Sequence, residues 1–331
     1  MRRFLLMIVM AAAPFAAGKT VSVRLVDDLG QPVEGADISI WFKSSRIDRP
    51  NAPQLLRSDA QGHVVATGET QVGFVIHVGK VSYYGATTEA PYIPVVDLLE
   101  RTYVLPRVLD PVPLYAIREL HLKLPVQGVW LGYDFEVNDW VAPYGGGKVA
   151  DIRFRYSHAF RGFDEGFKDI DAERALVKKI KASRGEAWSE EEFRLDAGKW
   201  DGVLDISFSN PQEGIYKEEE RFLPYSELKL PHLAPESGYE PTRRYEASTY
   251  KGRPPERQAG FFLRTRVKLD ANGDIISANY AKIYGDIRFD ARGTVSFGYY
   301  YNPIPNDRNL EFDRNHNLLP LPNPQSSPSN P

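Results

Sequence analysis

Cysteine is absent from all 331 residues. That absence excludes a disulfide framework, a thiolate nucleophile, a cysteine-based zinc site and a lipid-bearing cysteine. Histidine is scarce, and its six copies, His63, His77, His121, His158, His232 and His316, stand apart from one another. None forms His-Glu-x-x-His, His-x-x-His or His-x-x-Glu, so the local zinc signatures are missing, and the sequence leads to no expected metal or cofactor. No Gly-x-Ser-x-Gly elbow occurs. Ser226-Glu227-Leu228-Lys229 has the Ser-x-x-Lys spacing of acyl-serine enzymes, but it lies between prolines and lacks a Ser-Asp-Asn companion, so chance explains it. Gly145-Gly146-Gly147-Lys148 lacks both the upstream glycine and the following Ser or Thr of a phosphate loop and reads as a hairpin tip. A net charge of -3 gives no overall basic field, so no nucleic-acid partner is expected.

What is present is the material of β structure. Apolar residues make up 42% and charged residues 26%, enough for two domains with cores of their own. Gly (26) and Pro (25) are plentiful and aromatics reach 12%, which suits short strands joined by turns. From Phe261 to Leu269 apolar residues alternate with Arg264, Arg266 and Lys268, the period of a half-buried strand. Asp270-Ala271-Asn272-Gly273-Asp274 is a hairpin turn, Ile275 to Tyr284 the returning strand, and Asp290 to Gly293 a second turn. Thr294 to Tyr301 then places Val295, Phe297, Tyr299 and Tyr301 on one face, completing an antiparallel meander.

The chain begins with the basic Met1-Arg2-Arg3, an apolar run from Phe4 to Ala13 too short for an ordinary membrane span, and the small residues Ala16-Ala17-Gly18. That order is a secretory signal peptide over 1–18, so an exported protein, periplasmic, envelope or extracellular, is expected, with no span after cleavage. Leu318 to Pro331, rich in Pro, Asn and Ser, is expected to be a disordered tail. Between them, alternating segments at Val21–Val26, Ala36–Phe42, His63–Thr67, Gly73–Val78 and Thr102–Leu105 indicate a small β-sandwich over 19–107. The prolines of 106–113 mark a linker at 108–113. A larger antiparallel β domain is expected over 114–317, with a helix at 171–183 whose Ala172, Ala175, Leu176 and Ile180 share a face, and a capping box at Ser189 to Glu192. The fold class is mainly β, an Ig/transthyretin-like β-sandwich followed by that larger antiparallel domain with its short helical insertion.

Two turns of the first domain carry a resemblance. Asp28-Leu29-Gly30-Gln31-Pro32-Val33-Glu34-Gly35-Ala36 and Ser58-Asp59-Ala60-Gln61-Gly62-His63-Val64 resemble signatures of the carboxypeptidase regulatory-like domains, transthyretin-like sandwiches of exported bacterial proteins. The resemblance implies a spacer or adhesion module without catalytic residues. Lys43 to Pro53 departs from it as an inserted loop. The second domain resembles uncharacterised exported bacterial proteins in Trp140 to Gly145 and in Asn302 to Phe312.

Asp134 and Glu136, two apart on one expected strand, would emerge on the same face about 6–7 Å apart, with Asp139 nearby. Such a cluster suits acid-base work or Ca²⁺, while a solvated face in front of buried Tyr133, Phe135 and Val137 explains the same alternation. Trp140, Tyr299 and Tyr300 are candidates for an aromatic platform that stacks sugars, ordinary core packing being the other reading. The sequence thus leads to an exported non-catalytic module, with polysaccharide or another envelope component as partner. The alternatives are a polysaccharide hydrolase drawing on Asp134, Glu136, Asp139 and Glu311, and a structural spacer.

Overall fold

A computed structural model describes residues 18–43, 52–70, 73–91, 98–163, 169–249 and 260–331. The signal-peptide expectation at 1–18 and most of the 43–53 loop lie outside those residues. The chain is mainly β and divides into two units, one running to Val108 and taking in Tyr225–Glu227, the other comprising Leu109–Pro224 and Leu228–Pro331.

The smaller unit contains β1 (Lys19–Asp27), β2 (Asp37–Lys43), β3 (Gln54–Arg57), β4 (His63–Gly68), β5 (Gly73–Gly79), β6 (Ala86–Pro91) and β7 (Leu98–Leu105). They form sheets of order β4-β1-β7 and β3-β2-β5-β6, with β1 and β7 parallel. Alternation in β1 and β2 sends Val21, Val23, Leu25, Ile38 and Ile40 into one core. Both signature turns work through an aspartate that gathers backbone amides. The Asp27 carboxylate accepts from Leu29 and Gln31, and that of Asp59 from Gln61 and His63. Gly62 is required as well as permitted: its φ is +74°, and a Cβ there would stand 2.3 Å from the Leu25 carbonyl oxygen.

The larger unit holds β8 (Val112–Lys123), β9 (Leu131–Asp134), β10 (Asp139–Trp140), β11 (Ile152–Phe163), α1 (Ile170–Ser183), α2 (Glu190–Ala197), β12 (Gly198–Ser207), β13 (Gly214–Glu218), β14 (Thr242–Ser248), β15 (Gly260–Leu269), β16 (Ile275–Tyr284), β17 (Arg288–Asp290), β18 (Thr294–Asn302) and β19 (Phe312–Asn317). A sheet of order β10-β9-β11-β12-β14 faces one of order β13-β15-β16-β18-β8-β19, to which β17 is attached. Between them lies an aromatic-rich core that includes Phe135, Phe154, Phe261, Phe297, Tyr299 and Tyr301. On the other side of the second sheet, Phe262, Tyr280, Tyr300, Leu310 and Phe312 form a further core.

That second cover changes the reading of the meander. The hairpin and both turns stand where the sequence places them, but β15 and β16 are buried on both faces for most of their length rather than half-exposed. Arg264 illustrates the consequence. It is almost fully buried, donates to the Gln212 and Glu236 carbonyls at 2.8 and 2.9 Å, and lies over the Tyr239 ring. Two expected unstructured stretches also differ. Val112 and Pro113, expected in the linker, open β8, and within the expected tail Leu319 packs into the aromatic core while Asn317 donates to the Ser327 hydroxyl at 3.0 Å.

The two helices have local causes. Asp169 caps α1 and Ser189 caps α2, each side chain accepting from the amide three residues on. Phe193 is the only side chain of α2 that is buried, so the helix leans on its cap. Ser189→Ala is expected to cost about 1 kcal/mol locally, and amide hydrogen exchange at residues 190–193 should quicken roughly fivefold. Unchanged exchange there would show that packing alone holds the helix.

Candidate functional site

The acidic stretch 134–151 closes on a single arginine. Register shifts between Thr265 and Lys268 break the pairing of β15 with β16, and Arg266 sits in that irregularity with φ +51°. A bulge of this kind re-aims a side chain. The Arg266 guanidinium is directed at three carboxylates: Nε and Nη2 donate to Asp151 at 2.7 and 2.9 Å, Nη2 also to Asp134 at 3.1 Å, and Nη1 to Glu136. The Tyr301 ring covers the guanidinium at 5.1 Å, and its hydroxyl contacts Glu136.

Asp134 ends β9 rather than standing in mid-strand, and the chain turns immediately after it. Its carboxylate accepts the amides of Glu136, Val137, Lys148 and Val149, which fold the following loop around it. Burial pushes this carboxyl up, but the amide donors and Arg266 outweigh burial and hold it below the ordinary aspartate value. Asp151, fully buried, accepts from the Phe135 amide and the Thr265 hydroxyl besides Arg266, and here burial prevails and raises the carboxyl. Asp139 accepts from the Trp140 and Gly146 amides. The expected common strand face is therefore replaced by a loop in which Phe135 is buried and Val137 exposed. With their oxygens committed to amides and to Arg266, these acids brace the loop. Glu311 belongs elsewhere, buried and accepting from the Leu109 and Asp110 amides. Among the described residues, no three His, Cys, Asp or Glu side chains form a group that could hold a metal ion.

The aromatic candidates are not a surface platform. Trp140 is 8% exposed and packs edge-on to Tyr133; Tyr299 is fully buried, stacks near Phe135 and donates to the Phe135 carbonyl at 2.7 Å. Tyr300 faces the other core, beside Phe312. Rings in these positions fill cores and offer no open face to a sugar.

Sequence reasoning missed a second constellation, on the far side of the same sheet. A cleft of about 280 Å³ is lined by Arg118 of β8, Lys229, Tyr284 of β16, Tyr300 and Gly298 of β18, and residues 328–330. Gly298 belongs there because a Cβ would stand 2.2 Å from the Arg118 carbonyl oxygen. No acidic side chain lines the cleft. Lys229 is half-buried, and desolvation lowers its ammonium below the ordinary lysine value. Neither its Nζ nor the Arg118 guanidinium has a protein partner among the described residues.

Behind the cleft's tyrosines lies Lys282, fully buried. Its Nζ donates to the Tyr284 hydroxyl at 2.8 Å and to the Pro331 main-chain oxygen at 3.0 Å, and sits 4.6 and 4.7 Å from the Tyr284 and Tyr300 ring centroids. Desolvation holds it far below the usual lysine value, the distant charge of Glu311 offsetting only part of this. A sequence signal existed: Lys282 interrupts the apolar run Tyr280-Ala281-Lys282-Ile283-Tyr284, the mark of a strand covered on both faces.

No family model matches this chain, and no curated protein matches it. Solved structures show a partial likeness. Hydroxyquinol 1,2-dioxygenase from Pseudomonas putida DLL-E4 is 12% identical over 29% of this chain and 58% of its own, with a TM-score of 0.23. Catechol 1,2-dioxygenase from Acinetobacter sp. ADP1 is 10% identical over 30% and 56%, TM-score 0.25. Chlorocatechol 1,2-dioxygenase from Pseudomonas putida is 15% identical over 29% and 63%, TM-score 0.23. This chain thus spans less than two thirds of each, and at such scores neither reaction nor substrate transfers to it. The intended aromatic platform is buried, and on that ground the expected carbohydrate-holding module is corrected.

Proposed function

We propose that the larger unit binds a small organic carboxylate in the cleft of Arg118 and Lys229. The observation that carries this reading is two cations without protein partners among the described residues, lining one cleft that has no acidic side chain among them. A half-buried ammonium in that state lacks compensation, and an incoming carboxylate supplies it through a charge-assisted hydrogen bond. Tyr284, half-buried at the cleft, gives the ligand's carbon skeleton an aromatic contact. The two signature turns of the smaller unit support its reading as a carboxypeptidase regulatory-like module.

Titration calorimetry with pyruvate, succinate and benzoate, with inorganic phosphate and acetamide as controls, tests the cleft. Carboxylates are expected to bind, and Lys229→Met to weaken them about tenfold, since one charge-assisted bond contributes roughly 1.5–3 kcal/mol. Arg118→Ala should weaken them too, and added salt should act in the same direction. Equal binding of acetamide, or carboxylate binding indifferent to both substitutions, would sink the reading.

A further inference from the structure

Residues of α1, α2 and their connection line a second pocket, of about 220 Å³, which shares no residue with the cleft of Arg118 and Lys229. Glu173, Val177 and Lys181, spaced four apart, form one stripe of α1, and Glu192, Phe193 and Asp196 stand on one face of α2. Trp188, in the connection, adds its ring. Val177 and Trp188 are half-buried and present apolar surface, and Phe193 backs Trp188 with the ring centroids 5.5 Å apart.

The charges of this pocket do not balance. Arg174 pairs with Asp171 and Glu190, Arg194 with Glu190, and Lys181 with Glu192. Glu173 and Asp196 have no side-chain hydrogen bond or ion pair among the described residues, so two acids of the pocket stay uncompensated. Asp196 is moreover set against its own helix. It stands in the last turn of α2, where the helix end favours cations, and four residues after Glu192, a like charge. An acid in that position costs stability, which a bound cation offsets. Among the described residues the acids are not grouped so as to hold a metal ion, which directs the reading to an organic cation. The Trp188 ring already meets one ammonium, that of Lys178, at 5.9 Å.

We propose that this pocket binds a primary arylalkylammonium, its ring against Val177 and Trp188 and its ammonium at the carboxylates of Glu173 and Asp196. The N–H donors give those acids the charge-assisted hydrogen bonds that the protein does not, and the apolar walls take the carbon skeleton. Lys181, by cancelling Glu192, limits the attraction.

Calorimetric titration of the full chain at pH 7 with phenethylamine tests this, with 2-phenylethanol as the uncharged analogue and methylamine as the cation without a ring. Phenethylamine is expected to bind at least tenfold more tightly than either. Asp196→Asn and Glu173→Gln should each weaken it about tenfold, one charge-assisted hydrogen bond being lost. Lys181→Met, which uncovers Glu192, should tighten it severalfold. Asp196→Asn relieves the like charge and the helix end, so it should melt no lower than wild type, and its loss of affinity is then not a loss of fold. Equal binding of 2-phenylethanol would leave only an apolar cavity and overturn the proposal. So would phenethylamine binding indifferent to Asp196→Asn and Glu173→Gln, or no binding to the wild-type chain.

Discussion

Arg266→Met is expected to destabilise the larger unit by about 3–5 kcal/mol, because it leaves a fully buried carboxylate without its cation. The φ of +51° is equally adverse for Met and Arg, so backbone strain does not enter the comparison. The loss should depend on pH. Without the guanidinium the Asp151 carboxyl, already raised by burial, rises further, and the folded state then holds a proton that the unfolded state has released. Stability of the variant therefore falls as pH rises above the unfolded aspartate value, so the defect is larger at pH 8 than at pH 5. Adding Asp151→Asn should restore part of the loss, and the double-mutant cycle should show strong coupling. Urea melts of the four proteins at both pH values check this. Equal defects at the two pH values would mean that Asp151 is not the carboxylate left stranded.

The same residue shows where a sequence stops being legible. Alternation, Asn-Gly turn chemistry and aromatic content located the strands of the meander, since those signals act within ten residues. The face covered by each strand depends on segments far away. Residues 222–240 and 303–312 supply the second cover of β15, β16 and β18, and alternating Arg264, Arg266 and Lys268 reads as a solvated face only while that cover is unknown. Asp134 and Glu136 were legible as a pair and misplaced as a strand face, because the turn after Asp134 is made by its own carboxylate accepting amides up to Val149. Tyr299 and Tyr300 likewise alternate as expected, yet both sides of that alternation are core. The cleft had the weakest signal of all. Arg118, Lys229 and Tyr284 come from separate parts of the chain, and only the pairing of β16, β18 and β8 brings two of them together.

Lys282→Met is expected to stabilise the protein at neutral pH by about 1–3 kcal/mol, raising the midpoint of thermal unfolding by several degrees. Burial of the amine costs free energy that its two hydrogen bonds only partly return, and methionine matches much of its length without a group to desolvate. The Tyr284 hydroxyl still donates to the Pro331 main-chain oxygen, and Glu311 keeps the Leu109 and Asp110 amides. The pH signature follows from the depressed value. Between the folded value and about 10.4 the unfolded chain binds a proton that the folded chain does not, so wild-type stability climbs with pH across that window. Lys229, depressed for the same reason, adds a slope of the same sign that persists in the variant, whereas Arg118 stays charged throughout. The advantage of Lys282→Met should therefore shrink steadily as pH rises toward 10, a trend that calorimetric melts at pH 7, 8.5 and 10 resolve. A variant less stable than wild type at pH 7 would mean that Lys282 is held as a satisfied ammonium.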